Sequence, residues 1–221
     1  MPRFAANISL LFTELPMIER LEAARAAGFS AVEIQFPYPI ALDELLWRQD
    51  SVGIEIALIN LPGGDFAAGD RGLGALPDRV EEFITGIDLC RRYATRLGVK
   101  KVNLLAGVPT ADTDPVLARR TLIENLRLAG SELGEVGIQV LVEAINTRDV
   151  PGFFVSHTEQ ALDLIDEVGL PNLGLQYDIY HMQVMEGDLI PTMTRHLARI
   201  GNIQFDQHGP RGSRDVRPGV G

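Results

Sequence analysis

The chain carries a single cysteine, Cys90, so no intrachain disulfide can brace it. A reducing compartment, the cytoplasm, is the expected setting. No apolar run reaches the roughly 18 residues that a membrane span requires. The N-terminus shows no basic segment leading into an apolar signal core, so no membrane partner is expected. Neither GxxxxGK[ST] nor a helix-opening GxGxxG occurs, which excludes the common phosphate-cradling loops. There is no zinc-spaced Cys/His cluster and no Ser-His-Asp signature. Basic residues are also in short supply: 20 Lys and Arg against 30 Asp and Glu, for a net charge of −10. A surface this acidic does not suit a nucleic-acid partner, whose phosphates need clustered Lys and Arg. What remains is an ordinary globular composition, 46% hydrophobic and 23% charged over 221 residues. A chain of that length buries roughly 70% of its unfolded surface and can build a substantial core.

Short apolar runs alternate with helical patterns along the chain. Strands are expected at 4–12, 31–36, 54–60, 101–106, 138–143, 173–178 and 200–205, and helices at 16–27, 42–49, 78–97, 114–133, 156–168 and 189–199. Asp78 has the place of a helix N-cap, Gly28 and Gly98 those of stop signals, and Ser156-His-Thr-Glu159 the form of a capping box. Strands that alternate with helices imply right-handed crossovers and a parallel sheet. The expected class is α/β, a (β/α)8 TIM-barrel type fold with about seven β/α units over residues 1–205. Residues 206–221 are rich in Gly, Pro and Arg without apolar periodicity, and are expected to form an irregular tail. With no eighth unit legible, two sheet edges would stay open, which predicts association with further copies of the chain.

Chemistry concentrates at strand ends. The segment from Leu173 to Gln183 leads through apolar residues to Asp178, with His181 shortly after. Ile138-Gln-Val-Leu-Val ends at Glu143, and the last strand ends at Gln204. Taken singly, Glu143 and Asp178 could each be a strand-end carboxylate satisfied by a loop amide, and Gln204 a member of a polar network. Together, carboxylates on neighbouring parallel strands repel each other unless a cation lies between them. That favours a divalent-metal site, Mg²⁺ or Mn²⁺, held by Glu143, Asp178 and Gln204 at the barrel mouth. His181 could ligate, transfer a proton or hold a substrate oxygen. The long loop after the third strand carries Arg71, which could clasp a substrate carboxylate or pair with Asp70 or Asp65. Asn146 and Arg148 follow the fifth strand and supply further polar and cationic groups near the site. His157, His196 and Cys90 are expected on helices, with no role in the chemistry.

Several of these strings resemble the hydroxypyruvate isomerase family within the xylose-isomerase-like barrel superfamily. They are Phe4-Ala-Ala-Asn-Ile-Ser9, Val32-Glu-Ile-Gln-Phe-Pro-Tyr38, Asn60-Leu-Pro-Gly-Gly-Asp65, Ala68-Gly-Asp-Arg-Gly72, Glu143-Ala-Ile-Asn146 and Gln176-Tyr-Asp-Ile-Tyr-His-Met-Gln183. The resemblance spans residues 1 to about 205 and extends to 2-oxo-tetronate isomerases. It implies interconversion of hydroxypyruvate and tartronate semialdehyde, a step of glyoxylate metabolism, through an enediol. On that resemblance, Glu143 is both acid/base and metal ligand, Asp178 and Gln204 are metal ligands, and His181 contacts the substrate or a metal-bound water. The substrate is a small hydroxy-oxo acid. The family's Glu-Pro-Gly-Thr-Gly-Glu motif and its final strand Glu, a second acid/base, find no match after Gln204. The resemblance therefore leaves three alternatives beside the main one: 2-oxo-tetronate isomerisation, a related epimerase, or a catalytically impaired barrel fragment. An endonuclease reading is disfavoured by the acidic balance.

Overall fold

A computed structural model describes residues 3–205. Seven strands form one sheet: β1 (Ala5–Asn7), β2 (Ala31–Ile34), β3 (Glu55–Asn60), β4 (Lys101–Leu104), β5 (Gln139–Glu143), β6 (Leu173–Asp178) and β7 (Ile200–Gln204). They lie in sequence order and every neighbouring pair is parallel. Helices alternate with the strands: α1 (Arg20–Ala26), α2 (Leu42–Val52), α3 (Val80–Leu97), α4 (Pro115–Gly134), α5 (Thr158–Val168), α6 (Ile179–Met185) and α7 (Leu189–His196). Val, Ile and Leu recur in the strands from β2 onward, and every residue of β2 and β6 is buried. The sheet curls far enough for β7 to reach β2. Asn202 Nδ2 and Gln204 Nε2 donate to the two oxygens of Glu33 at 3.0 and 2.7 Å. The fold is thus the strand-after-strand, curled parallel sheet of a TIM-type barrel, seen here through seven units. The tail expected over 206–221 lies outside the described residues.

Most element ends follow local chemistry. Asp114 caps α4 by accepting the Val116 N–H at 3.0 Å, with Pro115 at the first helical position. α3 ends at Gly98, whose φ of 71° is left-handed, as a glycine stop allows. Five differences from expectation stand out. β1 stops at Asn7, because the Asn7 carbonyl accepts the amides of Leu10 and Leu11 and turns the chain. Leu10 and Leu11 are each 46% exposed, so that apolar run was not core. The helix expected from residue 16 starts as a 3-10 turn at Met17–Glu19, and Asp78 likewise sits in a 3-10 turn, Pro77–Arg79, without a capping bond. The Ser156 to Glu159 capping box does not form. Glu186, distant in sequence, instead accepts the Thr158 N–H at 2.6 Å and its hydroxyl at 2.9 Å. Finally, α6 was not among the expected elements; it forms directly after β6, where Asp178 accepts the His181 N–H.

The loop between β3 and α3 is drawn over the strand ends. Gly72 forms an antiparallel bridge with Ala106, and any Cβ on Gly107 would collide with the Gly72 carbonyl. Phe66 packs on Phe36, with ring centroids 4.6 Å apart. Under this polar end the core is tight: Phe83 of α3 and Leu122 of α4 are both 0% exposed. Phe83→Ala is expected to cost about 3–5 kcal/mol of stability, the usual result of emptying an aromatic site in a packed core. A urea midpoint unchanged by that substitution would contradict this packing. Among the described residues no helix is long and apolar enough to cross a membrane.

Candidate active site at the mouth of the barrel

Parallel strands place all their C-terminal ends on one face, and here each strand carries a polar side chain at its last or next-to-last position: Asn7, Glu33, Asn60, Asn103, Glu143, Asp178 and Gln204. Burying such groups costs free energy unless partners are found. Glu143, 5% exposed, accepts the Asn103 amide at 2.7 Å. Asp178, 4% exposed, ends β6 and caps α6 by accepting the His181 N–H at 2.9 Å. That cap is why the chain turns into a helix there, and it brings the His181 ring back over the strand ends. One ligand-type atom each from Glu143, Asp178 and His181 lies within 4.8 Å of the other two. Gln204 pairs with Asp178 in strand register and so borders the same cluster.

The electrostatics are unbalanced. Burial pushes the Glu143 carboxyl up to about 8, and the neighbouring Asp178 and Glu33 charges add to the rise; the Asn103 and Gln176 amides oppose it. Burial raises Glu33 as well, against the amide bonds from Asn202 and Gln204. Two amide oxygens, Asn103 Oδ1 and Gln176 Oε1, are buried without a hydrogen-bond partner. Clustered carboxylates with idle amide oxygens nearby are a donor set that fits a hard divalent cation.

The remaining expected site residues are placed differently. Asn146 is fully buried, and its amide is engaged by Asp149 and by His181. Arg71 donates to the Phe66 and Asp70 carbonyls and lies over the Phe66 ring at 5.3 Å, all within its own loop. Asp70 pairs instead with Arg79 at 2.7 Å, which holds its carboxyl below the usual range. Arg148 is exposed on the loop after β5. His157 is exposed at the start of α5, whereas the His196 side chain is only 14% exposed and meets Glu159 at 3.1 Å. Sequence reasoning passed over Glu33, Asn103 and Gln176. The available signal was a single polar residue inside an otherwise apolar buried strand, the pattern that had singled out Glu143.

A curled parallel sheet with an acidic, oxygen-rich mouth defines a TIM-barrel protein equipped for chemistry at its strand ends. The family model described as xylose isomerase-like TIM barrel matches residues 21–221, and the chain belongs to that family. The hydroxypyruvate isomerase of Escherichia coli is 46% identical over 221 residues, all of this chain and 84% of the relative. The 2-oxo-tetronate isomerase of Cupriavidus necator is 42% identical, over 95% of this chain and 82% of its own length. A crystal structure of an AP endonuclease, family 2, from Brucella melitensis superposes with a TM-score of 0.90 at 38% identity, covering 93% of this chain and 79% of that one. The chain is therefore an enzyme of an isomerase-bearing family. The family match and the Escherichia coli alignment both run through residue 221, so the similarity does not stop near residue 205 as the motifs alone had suggested.

Proposed function

We propose that this protein interconverts hydroxypyruvate and tartronate semialdehyde by moving a proton between adjacent carbons. The reading rests on one observation, the convergence of Glu143, Asp178 and His181 within 4.8 Å at the barrel mouth. It is supported by the name and 46% identity of the Escherichia coli relative. Glu143 takes the proton from the hydroxymethyl carbon of hydroxypyruvate, which becomes an enediol, and a proton is returned at the neighbouring carbon to give the aldehyde. His181 holds a substrate oxygen. Arg71 and Arg148, cations on the two loops beside the mouth, are assigned to the substrate carboxylate. Glu143, Asp178 and Gln204 would hold a divalent cation, Mg²⁺ or Mn²⁺. The Gln204 amide nitrogen is spent on Glu33, so its oxygen is the group that would be left to hold a cation. When bound, such an ion polarises the substrate carbonyl and favours the ionised form of the carboxylates around it.

A second substrate is favoured by the 42% identical 2-oxo-tetronate isomerase, whose reaction would use the same residues on a longer acid. Both substrates are tested by ¹H NMR in deuterium oxide, following exchange at the carbon-bound hydrogens. The expected result is exchange and product formation with hydroxypyruvate in the presence of Mg²⁺ or Mn²⁺, lost after dialysis against EDTA and restored by the ion. Faster turnover of 2-oxo-tetronate would reassign the substrate. Exchange that persists undiminished in EDTA would remove the cation from the proposal. A folded protein that exchanges neither acid would overturn the isomerase reading.

A further inference from the structure

Asn146 follows β5 on the loop that begins beyond Glu143, and it is 0% exposed. Its Oδ1 accepts the Asp149 N–H at 2.8 Å. Its Nδ2 lies 3.1 Å from Asp149 Oδ2 and 2.7 Å from His181 Nδ1. The first two partners have fixed roles. A backbone N–H can only donate, and Asp149 Oδ2, which also accepts the Tyr180 hydroxyl at 2.6 Å, is an acceptor. Turning the amide round would set oxygen against carboxylate and face an NH₂ to an N–H. The amide orientation is therefore determined by its surroundings, and the group it presents to His181 is a donor. Nδ1 of His181 must receive that bond with its lone pair, so the ring hydrogen of the neutral imidazole resides on Nε2.

This bears on how the ring can act. A nitrogen that carries hydrogen has no lone pair to give a cation. Metal-bound histidines have the reverse arrangement, in which the outer ring nitrogen donates to a carboxylate or carbonyl. We propose that Asn146 is a positioning residue that holds His181 in the Nε2–H form, making the ring a hydrogen-bond donor to a substrate oxygen and excluding it from the cation's ligands. The exclusion holds even though the ring approaches Glu143 and Asp178 closely enough to be grouped with them. The substrate half of this statement rests on the isomerase reading above; the tautomer does not.

The test is long-range ¹H–¹⁵N correlation on the full chain labelled with ¹⁵N-histidine, first without metal. The sequence has four histidines, and a His181→Gln sample identifies the ring of interest. The expected pattern has an acceptor-type Nδ1 and a hydrogen on Nε2, both retained when Mg²⁺ is added to saturation. In Asn146→Asp the amide donor becomes a carboxylate acceptor, so the hydrogen is expected to move to Nδ1. With Nε2 then able to ligate, Zn²⁺ affinity should rise on the order of 10- to 100-fold. An Nδ1–H pattern in the unaltered protein, or loss of the Nε2 hydrogen on adding Mg²⁺, overturns the proposal. A folded Asn146→Asp protein with an unchanged tautomer removes the role of Asn146. If that variant does not fold, the spectrum of the unaltered chain still decides. A correct tautomer in a protein that exchanges no substrate would instead refute the isomerase reading and leave this one standing.

Discussion

Glu143→Gln is expected to lower hydroxypyruvate turnover by roughly 100- to 10,000-fold, the range for removing a general acid/base, while leaving the protein folded. The substitution keeps the side chain's length, and the Gln oxygen can still accept the Asn103 amide that Glu143 accepts at 2.7 Å. What disappears is a proton-transfer group and one charge in a pocket where Asp178 and Glu33 already raise the cost of ionisation. The metal-free variant should thus be at least as stable as the parent at pH 8, because it buries an amide in place of a repelled carboxylate. Loss of activity with gain of stability is a signature that generic damage to the barrel does not produce. Turnover of the purified variant within a few-fold of the parent would contradict the role given to Glu143.

The metal-free protein should lose stability as pH rises from about 5 to about 8. In the folded chain Glu143 is raised from an ordinary value of 4.5 to about 8. Between those values the native state keeps a proton that the unfolded state has released, so the native state binds more protons. Stability then falls with increasing pH across the window. The raised Glu33 carboxyl contributes with the same sign. Because Glu143 is almost wholly buried, the loss is on the order of a few kcal/mol, read as a falling urea midpoint. Glu143→Gln should flatten the profile. Mg²⁺ or Mn²⁺ should restore the midpoint most at pH 8, where the carboxylate form it would bind is the one otherwise penalised. A midpoint that climbs between pH 5 and 8 without metal would show that the Glu143 environment is not the desolvated, acid-rich one described.

The parallel barrel was legible because β/α alternation, apolar strand runs and glycine stops are local signals, and each is read over a few residues. β6 spans 173–178 as expected, and the helix expected over 114–133 lies one residue further on, at Pro115–Gly134. Strand-end carboxylates were legible for the same reason: an acid after Val-Leu-Val stands out against its neighbours. The capping of α5 was not, since the group that binds Thr158 is Glu186, supplied by a separate helix end. Nor was Asn146, which reads from sequence as a loop polar group available to substrate and in the fold lies behind His181.

By itself the sequence determined the order and type of the elements and which strands end in oxygen-bearing side chains, because backbone propensity and burial pattern are written residue by residue. Tertiary structure decided the partners. Only the curl of the sheet sets Glu33 against Asn202 and Gln204, and only the meeting of the β5 loop with α6 aims the Asn146 amide at the His181 ring. Hydrogen-bond direction and the charge state of a buried acid depend on what lies a few ångströms away in space, and spacing along the chain does not encode that distance.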